Sequence, residues 1–188
     1  MNTIKNKIVA LATVMAIAAS AAMAAPKTTG DTDASYQQIA KQVRHELRML
    51  NYTGVFDNLA YKVEGSTVTL YGQVTKPIIR SNAEASVKRI EGVEQVVNNI
   101  EVLPLSRFDD SIRARTYREM QRTGSLFRYT RGVQPSLRII VRGGHVTLEG
   151  VVANKTDKQL AYLAASRVPG VFSVTNHLRA ERGESEVF

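Results

Sequence analysis

The 188-residue chain contains no cysteine. It therefore has no disulfide, no thiolate nucleophile and no cysteine-ligated metal, and its domains must be held by their cores alone. Histidine is scarce as well. His45, His145 and His177 have no partner histidine within metal-ligand spacing, so no metal or other cofactor is expected. A serine in a G-x-S-x-G elbow is absent, and so is a phosphate-binding P-loop. Long hydrophobic runs are missing except at the start. Lys5 and Lys7 precede the apolar, alanine-rich stretch from Ile8 to Ala22, and Ala22-Met23-Ala24 has small-x-small spacing. That is the pattern of a cleaved signal peptide over residues 1–24, too short to span a membrane. Because no cysteine follows it, no lipid can be attached there. The expected product is a soluble, exported protein that is not a lipoprotein.

What the chain does have is a copy of itself. Val68-Thr69-Leu70-Tyr71-Gly72 recurs as Val146-Thr147-Leu148-Glu149-Gly150, an offset of 78 (146 − 68). The same offset pairs Leu59 with Leu137, Val63 with Val141, Gly92 with Gly170, Val96 with Val174 and Asn98 with Asn176. The shared positions are apolar residues, glycines and one asparagine, which describe a folding unit and offer nothing for catalysis. The expected organisation is a flexible linker over 25–34, a first domain over 35–104, a second over 105–181 and a tail over 182–188.

Each copy reads as helix, strand, strand, helix, strand. Tyr36, Ile39, Val43, Leu47 and Leu50 recur at three and four, one apolar stripe of a helix. Leu59, Tyr61 and Val63 alternate as a strand. So do Val68, Leu70 and Val74, with Gly72 in register, where a close approach by a neighbour is expected. Ile79, Ala83, Val87 and Ile90 are the buried face of a second helix that Gly92 caps. Val96, Asn98, Ile100 and Val102 give the last strand. The second copy repeats this order, with Phe108, Ile112 and Met120 marking its first helix, and Gly150 and Gly170 at the corresponding structural positions. The predicted fold class is α+β, two tandem domains, each a three-stranded mixed sheet covered on one face by two helices, with the last two strands parallel. The first helices align at an offset of 73 (Ile39 with Ile112, Glu46 with Glu119), so the second copy carries five extra residues (78 − 73) within Gly124 to Pro135.

These marks resemble the BON domain family, named for bacterial osmotically induced and nodulation proteins. They are the V-x-L-x-G strand (VTLYG and VTLEG), the helix ending in Gly92-Val93 and Gly170-Val171, and the strands with Val96, Asn98 and Ile100 and with Val174, Asn176 and Leu178. The likeness runs from about Tyr36 to Leu103 and from Phe108 to Ala180. It implies envelope-stress work without catalysis: phospholipid binding, membrane maintenance, or chaperoning of exported proteins. The family has no universal binding residue to carry over, so site residues must come from the chain itself.

Charge singles out the second copy. Residues 34–104 hold eight Lys/Arg against seven Asp/Glu, net +1, whereas residues 105–188 hold fourteen against eight, net +6. Such asymmetry points to an anionic partner. The candidate lipid-binding residues are Arg113, Arg115, Arg118, Arg122, Leu126, Phe127, Arg128, Tyr129 and Arg131. Arg115, Arg118 and Arg122 share one helix face by spacing, and Leu126, Phe127 and Tyr129 are apolar side chains in the insertion that can enter a membrane interface. The bland alternative is that Phe127 and Tyr129 pack on their own domain and the arginines are only solvated. Asn98 and Asn176 are read as structural ties to a neighbouring backbone. Asp109-Asp110 reads as helix capping. Association with anionic phospholipid through the second domain is the leading expectation, and a periplasmic holdase for unfolded exported proteins is the alternative. Nucleic acid is not an expected partner, because the leader takes the chain out of its reach.

Overall fold

The computed structural model describes residues 29–132 and 134–182, with the side chains of 36–132 and 134–181. The signal peptide read over 1–24 lies outside these residues, as does the tail from 183 onward. Element order is α1 (Thr29–Arg48), β1 (Asn58–Glu64), β2 (Thr67–Val74), α2 (Pro77–Val87) and β3 (Gln95–Val102) in the first domain. The second has α3 (Arg107–Arg122), a 3₁₀ turn (Gly124–Leu126), α4 (Phe127–Thr130), β4 (Leu137–Arg142), β5 (His145–Asn154), α5 (Lys155–Ser166), β6 (Ser173–Asn176) and β7 (Arg179–Arg182). Both domains are α+β, as expected.

Alternation decides the sheets. Val68, Leu70 and Val74 on β2 are fully buried, and so are Val146 and Leu148 on β5. Residues two apart share a face, so each central strand turns one apolar row onto the helices. β1 runs antiparallel to β2, with Leu59 opposite Gly72, and β3 runs parallel to it, with Val68 opposite Val96. β4 and β6 flank β5 in the same way. Gly72 (φ +122°) and Gly150 (φ +117°) do what their place in the pattern suggested: a Cβ built on either would overlap the carbonyl oxygen of Asn58 or Ser136. The asparagines are the expected ties. Asn98 donates to Arg80 O at 3.1 Å and Asn176 to Lys158 O at 2.9 Å, which fastens the last strand of each domain to its second helix.

Three expectations need correction. α1 begins at Thr29, inside the segment read as a flexible linker over 25–34. The last strand of the second domain is divided into β6 and β7, although both pair with β5 at one register (173 − 145 and 179 − 151 are both 28), so it is a single strand path with an interruption. The residue that caps α3 is Ser106, whose hydroxyl accepts from Asp109 N at 3.1 Å. Asp109 is instead buried, and its carboxylate accepts from the backbone N–H groups of Gly143 and Gly144 at 2.9 and 2.8 Å, holding the β4–β5 turn.

The domains meet through the α1–β1 loop. Val55 and Phe56 pack against the core of the second domain. Val55 O accepts from Ile139 N at 2.7 Å, on the edge of β4 that β5 does not pair, and Gly54 O accepts from Arg138 Nη1 at 2.9 Å. The Phe56 ring meets Tyr117 of α3 edge-on at 6.2 Å. Asp57 pins this loop: its carboxylate accepts from Gly54 N (2.9 Å), Thr75 N (2.7 Å) and Thr75 Oγ1 (2.8 Å).

Candidate functional site: an arginine helix face beside an aromatic patch

α3 divides its arginines between two environments. Ile112, Thr116 and Met120 face the core, and Arg113 goes in with them, only 5% exposed. Its guanidinium donates to Val141 O at 2.7 Å and to Asp110 at 2.5 Å. Arg113 is therefore a buried structural arginine and leaves the lipid-contact set. Arg115, Arg118 and Arg122, three and four apart, are exposed. Neither Arg115 nor Arg118 spends its charge on a carboxylate: Arg115 Nη1 donates to Pro169 O at 3.1 Å and Arg118 Nε to Ala114 O at 3.2 Å.

The insertion differs from the expected apolar loop. Leu126 is fully buried and Tyr129 is 8% exposed, both within the second-domain core. An apolar side chain and a ring with a satisfiable hydroxyl gain more by filling the space beneath α3 than by facing water. The Tyr129 hydroxyl donates to Asp157 at 2.6 Å and accepts from Ala153 N at 3.0 Å. Asp157 also accepts from Ser125 (2.5 Å) and Arg128 (2.8 Å). Burial pushes its carboxyl up, but the hydrogen bonds from Ser125, Tyr129 and Arg128 outweigh that and hold it below the usual carboxylate range. Arg128 lies 4.7 Å over the Tyr129 ring and is committed to this cluster. Of the candidate residues in the insertion, Phe127 (43% exposed), Arg128 and Arg131 remain at the surface, Arg128 with its charge paired to Asp157.

The tertiary structure adds an aromatic patch that the linear pattern did not single out. Phe172, in the α5–β6 loop, is 69% exposed, and Phe108, in the first turn of α3, is 47% exposed; their ring centroids are 5.8 Å apart. Phe108 is thus at the surface rather than on the core stripe of its helix. The two rings rest on glycine backbone. A Cβ on Gly144 would come within 2.6 Å of Phe172 and 3.1 Å of Phe108, and one on Gly170 within 3.5 Å of Phe108. His145 flanks Phe172 at 5.9 Å. The Arg115–Pro169 hydrogen bond brings a guanidinium to the loop that carries Phe172. Phe108 and Phe172 come from segments 64 residues apart (172 − 108), so no local signal could have joined them.

Among the described residues there is no group of three or more His, Asp or Glu able to hold a metal ion, and no helix long and apolar enough to cross a membrane. The class defined by the fold is a tandem α+β protein, whose second domain exposes an arginine helix face and an aromatic pair. The BON domain family model matches residues 35–104 and 108–182, and the chain belongs to that family. The family is generally non-enzymatic and is associated with phospholipid-binding or envelope-related roles. Among curated proteins, none matches the chain. Solved structures of CdsD, a structural protein of the Type III secretion system of Chlamydia trachomatis, are similar at 9% identity and a TM-score of 0.29, covering 75% of this chain and 91% of that one. A structure of the CdsD C-terminal domain matches with the same identity and TM-score, over 74% of this chain and 96% of that one.

Proposed function

We propose that this protein is a non-enzymatic, periplasmic envelope-stress protein that associates with anionic phospholipid surfaces through its second domain. The observation that carries this reading is the pairing of Phe108 and Phe172 at an exposed end of the domain, with Arg115 tied to the same loop and Arg118 and Arg122 continuing its helix face. Phenylalanine rings beside basic side chains can enter the headgroup/acyl boundary of a bilayer, and each arginine near an anionic surface contributes about 1 kcal/mol. Three arginines supply about 3 kcal/mol, or roughly a hundredfold in affinity. Binding of this size is reversible and salt-sensitive. Arg131 and Phe127 are at the surface and extend the candidate area; Arg113, Leu126 and Tyr129 do not, and Arg128 serves the Asp157 cluster.

The holdase alternative needed Leu126, Phe127 and Tyr129 at the surface to receive unfolded chains. Two of the three are in the core, so both readings lose them, but the lipid reading keeps the exposed arginine face that it rests on. Co-sedimentation with phosphatidylglycerol and phosphatidylcholine vesicles against salt is the test. Charge reversal of Arg115, Arg118 and Arg122 to Glu, and separately Phe172→Ser, should each lower binding to the anionic vesicles. Undiminished binding by both variants, or a binding curve flat in salt, would sink the proposal.

A further inference from the structure

A second set of arginines meets in the seam between the domains. The cleft there has a volume of about 260 Å³ and is lined by Arg44 and Arg48 of α1, Tyr61 of β1, and Gln134, Ser136 and Arg138 before and within β4. Among the described residues, none of its three arginines forms a salt bridge. Arg44 Nε donates to the Tyr61 hydroxyl at 3.3 Å and Arg138 Nη1 to Gly54 O at 2.9 Å, both neutral acceptors. Asp57 is the carboxylate in the wall, and its two oxygens already accept from Gly54 N, Thr75 N and Thr75 Oγ1. Among the described residues the cleft therefore has an excess of positive charge, three arginines against Asp57, and guanidinium forks most of whose donors have no partner. Burial works against the charge of Arg138, with Asp57 nearby opposing that effect, yet a guanidinium does not give up its proton in a protein. An oxyanion would relieve this by taking paired N–H donors.

At about 260 Å³ the cleft has room for a phosphate with a small polar substituent, and, being partly open to solvent, it also admits a headgroup whose acyl chains stay outside. We infer that the inter-domain cleft is a binding site for a phosphate-bearing small anion, gripped by Arg44, Arg48 and Arg138. Its walls come from both domains, so the bound anion also stabilises their docking by mass action. The same chemistry is offered by a free phosphate monoester and by a phospholipid headgroup reaching in. This site is independent of the aromatic end of the second domain.

The test is an amide NMR titration of the chain at constant ionic strength. Its probes are inorganic phosphate, glycerol 3-phosphate, and a short-chain phosphatidylglycerol kept below its micellar concentration. Saturable shifts are expected at Thr53, Asn58, Gln134 and Ser136, with a Kd of about 1 mM or tighter for the best probe. Arg44→Gln with Arg48→Gln, both at exposed positions, should weaken binding about tenfold or more, whereas Arg115→Gln should not alter it. Strongest binding by the two small phosphates assigns a soluble ligand; strongest binding by the short-chain lipid assigns a headgroup. Absence of saturable shifts with all three probes, or identical affinity in the Arg44/Arg48 variant, overturns the inference.

Discussion

The two domains solve one problem in different ways, at the junction between the first helix and the first strand. The backbone N–H groups of Thr75 and Ala153 are equivalent, 78 residues apart, and each follows the central strand's apolar row. In the first domain the acceptor is the Asp57 carboxylate, at 2.7 Å; in the second it is the Tyr129 hydroxyl, at 3.0 Å, backed by Asp157. Asp57 ties the loop before it through Gly54 N in a turn that sends Val55 and Phe56 outward, where they pack on the neighbouring domain. The five extra residues of the second copy give it a 3₁₀ turn and α4, which fold inward and seat Leu126 and Tyr129 in their own core. One copy uses this segment to join its partner, the other to complete itself. A repeat thus diverges in function where its length changes, while the sheet is kept.

Where the two copies are alike, equal damage is expected. Gly72→Ala and Gly150→Ala should each cost about 3 kcal/mol or more, because the new methyl group meets a backbone carbonyl and the positive φ disfavours it. Urea denaturation of each variant measures this, and a large difference between them would show that the glycines are not equivalent. Where the copies differ, the damage should spread differently. Asp157→Ala strands the Tyr129 and Ser125 hydroxyls and should cost the second domain about 2 kcal/mol; Asp57→Ala releases the docking loop as well and should uncouple the unfolding of the two domains. The Asp157 carboxyl is depressed on folding. Its stabilisation is therefore complete above the unfolded-state pKa near ~4 and is lost as pH falls through the lower folded-state value. Acid titration of stability should show this loss in the native protein and a reduced one in Asp157→Asn. The smallest effect belongs to the strand ties. Asn98→Ala and Asn176→Ala should each cost about 1 kcal/mol, and thermal melting that ranks either above Asp157→Ala would reverse the comparison.

Much of this was legible in the residues. Period-two rows at Val68, Leu70 and Val74, and again at Val146, Leu148 and Val152, required strands with one buried face. Gly72 and Asn98 marked a close approach and a tie because each interrupts such a row in phase. The arginines on α3 were visible as a spacing. Their fates were not, since Arg113 differs from Arg115 only in which side of the helix meets β4. Leu126 and Tyr129 were recognisable as apolar, but an apolar residue in an insertion reads the same whether it turns in or out. Phe108 and Phe172 could not be joined at all without the β4–β5 turn and the α5–β6 loop lying side by side.

By itself the sequence determined the duplication, the α+β units, the basicity of the second copy and the glycine and asparagine positions, because these follow from periodicity and backbone stereochemistry within a short stretch of chain. Only the tertiary structure decided which arginines remain free, which aromatic rings reach the surface and what lines the seam between the domains. Burial depends on what packs against a residue, and those neighbours arrive from distant parts of the chain.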